Sequence, residues 1–182
     1  SKHHTQLVRL ATSEGGKPWI DSDVEVTRAI ETIRLCAEHV RVHQGAVIPM
    51  GLTSASAGRL AFTRPEPIGV VVAVSAFNHP LNLIAHQIGP AIAAGCPVIV
   101  KPAPDTPLSC LRLVEILHEA GLPEPWAQSL VLTDNTIAED LVTDSRVALF
   151  SFIGSARVGW MLRSKLAPGT RCTLEHGGAA PV

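Results

Sequence analysis

Gly69-Val-Val-Val-Ala-Val-Ser75 and Pro97-Val-Ile-Val-Lys101 decide the fold, together with the segment Pro80–Ala94 that separates them. Both runs are β-branched and continuously apolar. They do not alternate, so they read as strands buried on both faces. The segment between them is helix-sized and apolar. A strand, a helix and a second buried strand make a parallel crossover unit. Downstream the texture repeats. Ser129–Thr133, Ala148–Ile153 and Arg171–Glu175 read as further strands, and Pro107–Ala120, Thr136–Thr143 and Ala156–Leu166 as further helices. The alternation predicts an α/β fold, with a Rossmann-like parallel sheet flanked by helices on both faces. Ligands of such sheets collect at the carboxyl ends of the strands.

Upstream the pattern differs. Val26, Ile30, Ile33, Ala37 and Val40 recur at helical spacing, so Asp21–Val42 reads as an amphipathic helix with Asp21, Ser22 and Asp23 as N-cap candidates. Gly15-Gly16-Lys17-Pro18 is a breaker before it, and Gln6–Ser13 reads as the end of an earlier helix. Residues 44–63 hold two short β-like runs, Ala46–Met50 and Arg59–Thr63, around a Ser/Gly/Ala-rich turn. They predict a projecting β-hairpin.

Composition sets limits. The 182 residues suffice for one α/β domain; 46% are apolar and only 4% aromatic, as a Val/Ile/Leu/Ala core between helices requires. The net charge of −1 offers neither a nucleic-acid footprint nor a polybasic membrane patch. Cys36, Cys96, Cys110 and Cys172 form no C-x-x-C pair and no zinc-like spacing, so no metal is expected and the thiols read as small buried hydrophobes in a reducing compartment. No apolar run spans a bilayer and no hydrophobic leader is visible, which points to a cytoplasmic protein.

The polar residues at the strand ends carry the candidate chemistry. Asn78 follows the first buried run; it is either part of an ordinary strand-to-helix turn or a neutral amide donor facing a cleft. Lys101 ends the second; its ammonium either just reaches water or meets a sugar hydroxyl or phosphate. Gly154-Ser155 precedes a helix, where Ser caps for structural reasons and free N–H groups also bind anions. Glu175 closes a strand in which Glu is a poor fit, as a surface end or as a general base that activates water.

Four segments appear in order: Ser75-Ala-Phe-Asn-His-Pro80, Val98-Ile-Val-Lys-Pro-Ala103, Phe152-Ile-Gly-Ser-Ala-Arg-Val-Gly159 and Leu174-Glu-His-Gly-Gly178. Their order and spacing resemble the signature segments of the NAD(P)-dependent aldehyde dehydrogenase superfamily. Leu10–Pro18 and Pro67–Val71 extend the likeness over nearly the whole chain. The resemblance implies a cofactor-binding domain over residues 1–182, truncated, with 44–63 as the start of an oligomerisation sheet. It also implies that the catalytic domain is absent from these residues and that the nucleophilic cysteine would lie beyond Val182. Cys172, which precedes Glu175, is not that cysteine.

In the family a cysteine thiolate attacks the aldehyde, hydride passes to the nicotinamide, and activated water hydrolyses the thioester to a carboxylic acid. Carried over by motif, Asn78 and Glu175 are the catalytic residues, as oxyanion donor and base. Ser75, Phe77, Lys101, Gly154, Ser155 and Gly159 bind NAD or NADP. The implied partners are an aldehyde substrate and, in the full-length protein, further copies of the same chain. Two alternatives stand beside this reading: a stand-alone nucleotide-binding or interaction module, and an aldehyde dehydrogenase that passes the acyl group to coenzyme A.

Three positions depart from the family pattern. Pro104 stands where NAD-preferring members often carry Glu, which leaves the choice between NAD and NADP open. Asp134 stands where a Gly is usual near the adenine side. His176 replaces a usual Leu and either puts a titratable ring beside Glu175 or stays outside the cleft.

Overall fold

The computed structural model describes residues 2–178; residues 1 and 179–182 of the range read as one domain lie outside it. Helices α1 (His4–Gly15) and α2 (Trp19–Val42) come first. The two-residue strands β1 (Val47–Ile48) and β2 (Ala61–Phe62) then pair antiparallel, which is the expected hairpin with very short arms. From there β3 (Val70–Val74), α3 (Asn82–Ala93), β4 (Val98–Lys101), α4 (Leu108–Glu119), β5 (Ala127–Ser129), α5 (Asn135–Thr143), β6 (Val147–Gly154), α6 (Ala156–Arg163) and β7 (Arg171–His176) alternate strand with helix.

The five later strands form one parallel sheet in the order β5-β4-β3-β6-β7. The chain winds outward from β3 through β4 to β5, then returns across β3 to place β6 on its other side. The strand order therefore reverses between β3 and β6, and the crevice at their carboxyl ends is the topological switch point of an open α/β sheet. Two cores result. Val71, Ala73, Val98, Val100 and Ile88 pack with α1–α4 on one face. Val72, Phe150, Phe152, Val142 and Leu162 pack with α5 and α6 on the other.

Several boundaries differ from the sequence expectation. The third strand of the expected series is Ala127–Ser129, not Ser129–Thr133, because a 3₁₀ turn over Glu124–Trp126 brings the chain onto the sheet early and Val100 O already accepts Leu130 N. Helix α2 starts at Trp19 with Pro18 as N-cap, not at Asp21–Asp23. Its apolar stripe is buried only in its first half. Val26 is buried against α3, whereas Ala37 is exposed and Val40 is 56% exposed. The hairpin is exposed as well, with Val47 and Phe62 open to solvent. Among the described residues no helix is long and apolar enough to cross a membrane, and no cluster of His, Cys, Asp or Glu has metal-holding geometry.

Candidate active site at the carboxyl rim of the sheet

Register places the candidate residues along one rim. Val74 lies beside Lys101 on β4 and beside Phe152 on β6, while Ile153 lies beside Glu175 and Gly154 beside His176. Ser75, Phe77 and Asn78 leave the end of β3, and Ser155 leaves the end of β6. Apart from Gly159, the sequence-predicted residues are thus brought to one edge. Strand alternation then divides them between the two faces.

Lys101 belongs to the α5–α6 face. It lines a pocket of about 350 Å³ with Val74, Asn135, Thr136, Glu139, Val158 and Leu162. The residue is only 6% exposed. Its Nζ donates to the carbonyl of Pro102 at 3.3 Å, and among the described residues no carboxylate pairs with it. Burial pushes its pKa below the ordinary lysine value. A buried ammonium with one neutral partner keeps unused donors at the edge of this pocket, which suits a hydroxyl-bearing ligand.

Helix N-termini at this rim differ in what occupies them. Glu25 accepts the N–H groups of Leu81 at 2.8 Å and Asn82 at 3.0 Å, at the start of α3. Glu14 does the same for α4, accepting from Leu108 at 2.6 Å and Ser109 at 2.8 Å. Asp134 caps α5 through Thr136 N at 2.8 Å. These carboxylates already satisfy the positive helix ends. At α6 the cap is the neutral Ser155, whose Oγ accepts from Val158 N at a long 3.4 Å. Of these four ends, α6 alone has no carboxylate on it, and it opens beside the switch point.

Gly159, read from sequence among the cofactor-binding residues, lies instead at the helix–sheet contact. It is buried, and a Cβ there would strike His176 Nε2 and meet Phe152 Cδ1 at 3.0 Å. Its hydrogen side chain lets α6 approach the sheet closely, as a third glycine after a phosphate turn does. His176 explains the need. Its ring is edge-on to Trp160 at 5.4 Å and to Phe152 at 6.1 Å, with Nε2 buried and unpartnered. It faces α6, so the ring is on the opposite side of β7 from Glu175.

Glu175 itself is exposed and continues the face of Ser151 and Thr173, which line a second pocket of about 330 Å³ with Gln87 of α3. Asn78 is also exposed, in the turn leading into α3 on that same side. Gln87 was not visible as a site residue in the sequence. Its Nε2 donates to Val74 O at 3.3 Å and Ser151 O at 3.2 Å, so one amide bridges the end of β3 and the middle of β6. Only its polarity in a mostly apolar helix signals it. Ser75 is buried at the end of β3 with Oγ unpartnered, and Phe77 is 62% exposed beside the rim.

The rim therefore has two differently equipped sides: a cation and an open helix end on one, an amide and a carboxylate on the other. The whole chain, residues 1–182, matches the aldehyde dehydrogenase family model. This chain belongs to the aldehyde dehydrogenase family.

Among relatives of the family, the 3-sulfolactaldehyde dehydrogenase of Priestia aryabhattai is 41% identical over 172 residues, covering 94% of this chain and 36% of that protein. The lactaldehyde dehydrogenase of Methanocaldococcus jannaschii is 37% identical over 180 residues, covering 97% and 37%. Among solved structures, aldehyde dehydrogenase 21 of Physcomitrella patens, in complex with the reaction product succinate, superposes with a TM-score of 0.94 at 38% identity over 99% of this chain and 37% of that one. The glyceraldehyde-3-phosphate dehydrogenase GapN of M. jannaschii, complexed with NADP, gives 0.88 at 35% identity over 97% and 38%. The chain spans little more than a third of the length of the relatives it matches.

Proposed function

We propose that this chain is the NAD(P)-binding portion of an aldehyde dehydrogenase that oxidises an aldehyde to a carboxylic acid through a thioester on a cysteine outside these residues. One observation carries the proposal: the rim residues lie on opposite faces of the sheet at the point where strand order reverses. A dinucleotide is long enough to cross that point and use both. Its adenosine half belongs on the α5–α6 side, with Lys101 on the ribose. Its pyrophosphate belongs at Gly154 and Ser155, where the helix end carries no carboxylate. Residues of the α3 side would hold its nicotinamide half, which would supply the hydride acceptor when bound.

The chain's own residues supply the rest. The Asn78 amide donates a hydrogen bond to the oxyanion that develops on the aldehyde oxygen, without giving up a proton. Glu175 takes a proton from water at its carboxylate and so activates it for hydrolysis. Ser75 and Phe77 border the crossing point. The solved relative in complex with NADP supports a dinucleotide, and the name of the sulfolactaldehyde-oxidising relative supports an aldehyde. Asp134 keeps its negative charge on this side of the sheet. Its carboxylate is engaged with Thr136 N, and the hydrogen bond holds its pKa below the ordinary range.

The exposed hairpin supports a further part of the proposal, that 44–63 pairs with other copies or other segments in the assembled enzyme. The test of the nucleotide pose is a crystal structure of the chain with NAD or NADP. The phosphates should lie against the N–H groups after Gly154; phosphates at α3 or α4 would refute it.

A further inference from the structure

Lys17 has a place in this site that its position in the sequence does not suggest. It follows the α1 C-cap Gly16, whose φ of 62° turns the chain back toward the rim. Its Nζ forms an ion pair with Glu25 Oε2, and the Glu25 side chain is fully buried. From there the ammonium also donates to the carbonyl of Asn78 at 3.4 Å and lies 3.3 Å from His79 Nδ1. Glu25 Oε1 is already used by Leu81 N and Asn82 N. Capping of α3 therefore needs one carboxylate oxygen, and the second oxygen serves to hold Lys17.

The turn after β3 is consequently held at three successive carbonyls. Phe77 O accepts from Thr106 Oγ1 at 3.4 Å, Asn78 O from Lys17, and His79 O from Leu83 N at 3.1 Å. The middle one is the backbone of the residue whose side chain is exposed at the rim. An amide that stabilises an oxyanion works only if it is aimed before the charge develops. A displacement of about 1 Å at such a group costs on the order of a hundredfold in rate.

We propose that Lys17, fixed by the buried carboxylate of Glu25, is a positioning residue for Asn78. It acts through the Asn78 backbone and touches neither substrate nor cofactor. The inference rests on the reading of Asn78 as the oxyanion donor.

The test uses Lys17→Met and Lys17→Arg, with two readouts. In the ¹⁵N-labelled chain, without aldehyde or dinucleotide, Lys17→Met should shift the side-chain amide cross-peak of Asn78 and Lys17→Arg should restore it. The Leu81 and Asn82 amides should stay protected in both, because Glu25 still caps α3. In an aldehyde dehydrogenase carrying this chain, Lys17→Met should lower kcat by about tenfold to a hundredfold, the range that misplacement allows. KM for the dinucleotide should be unchanged, and Lys17→Arg should recover most of the loss. An Asn78 cross-peak that does not move overturns the proposal. So does a shifted cross-peak with unchanged kcat. If Lys17→Met does not fold, Lys17→Gln replaces it: a shifted cross-peak with lowered kcat supports positioning, and unchanged values overturn it. Failure of the parent reading looks different, since the wild-type chain would then bind neither NAD nor NADP.

Discussion

Glu25 on α2 and Leu81 at the start of α3 are 56 positions apart, yet the Glu25 Oε1 to Leu81 N hydrogen bond measures 2.8 Å. Glu14 makes the same kind of contact with α4. The N-terminal helix pair is thus bolted to the two helices that leave the central strands, and it fixes the loops at the rim from behind.

Removing Glu25 should be expensive. Glu25→Ala leaves Lys17 without its counter-ion and two helix N–H groups without an acceptor. Breaking a buried pair by deleting one partner costs about 3–5 kcal/mol. Urea denaturation should show a loss of that size, with an unchanged slope against denaturant.

Gly159 and His176 are predicted to be coupled. Gly159→Ala puts a methyl group into the His176 ring and should destabilise the chain by about 1–3 kcal/mol, the usual cost of overpacking. His176→Leu alone should be stabilising, because it removes a buried Nε2 that has no partner. A double-mutant cycle measured by thermal unfolding should give a non-zero interaction energy, since the two positions are in contact. Strict additivity would mean that α6 and β7 do not meet at this point.

Acid should weaken the turn before β6. The Arg146 guanidinium and its backbone N–H hold the Asp144 carboxyl down from the usual 3.8 to about 2. The folded pKa is depressed, so the contribution is present above the unfolded value and is lost as pH falls toward 2. Stability measured from pH 5 to pH 2 should fall less steeply in Asp144→Asn than in the wild type. Parallel curves would contradict the assignment.

The hairpin should mediate association. Val47 is 72% exposed and Phe62 68% exposed on a pair of two-residue strands. Exposed apolar edges of this kind recruit further strands. Sedimentation of the chain should show concentration-dependent association that Val47→Thr/Phe62→Thr reduces. A monodisperse monomer with an ordered hairpin would count against it.

Sequence alone made the sheet legible, and the reason is physical. Val70–Val74 and Val98–Lys101 are buried on both faces, so their composition alone identifies them. Where local pattern and packing part company, legibility ends. The stripe of α2 continues through Ala37 and Val40, but α3 covers only its first half, and nothing local reports where a neighbour stops. The position of β5 is hidden for a similar reason: Leu130–Leu132 has the apolar look of a strand, while the pairing residues Ala127–Ser129 are set by the preceding 3₁₀ turn. Among the candidate residues, the rim positions of Asn78, Lys101, Ser155 and Glu175 are legible because each interrupts a pattern at a strand end. Lys17, Glu25 and Gln87 are not, because their roles depend on contacts across dozens of residues. The split of the rim between two faces was also invisible, although strand alternation from Val100 to Lys101 contains it once the register is known.

Lys101 supplies the most direct test of the dinucleotide assignment. NAD and NADP should be titrated calorimetrically into the chain and into Lys101→Ala, from pH 7 up into the lysine range. Burial lowers the Lys101 pKa, so charge is lost earlier than in an ordinary lysine, and affinity should fall at alkaline pH in the wild type only. The account predicts saturable binding of at least one dinucleotide, weakened about tenfold or more by the substitution, as loss of a charge-assisted hydrogen bond implies. Equal affinity in the two proteins, or no binding of either dinucleotide to the wild-type chain, would contradict it.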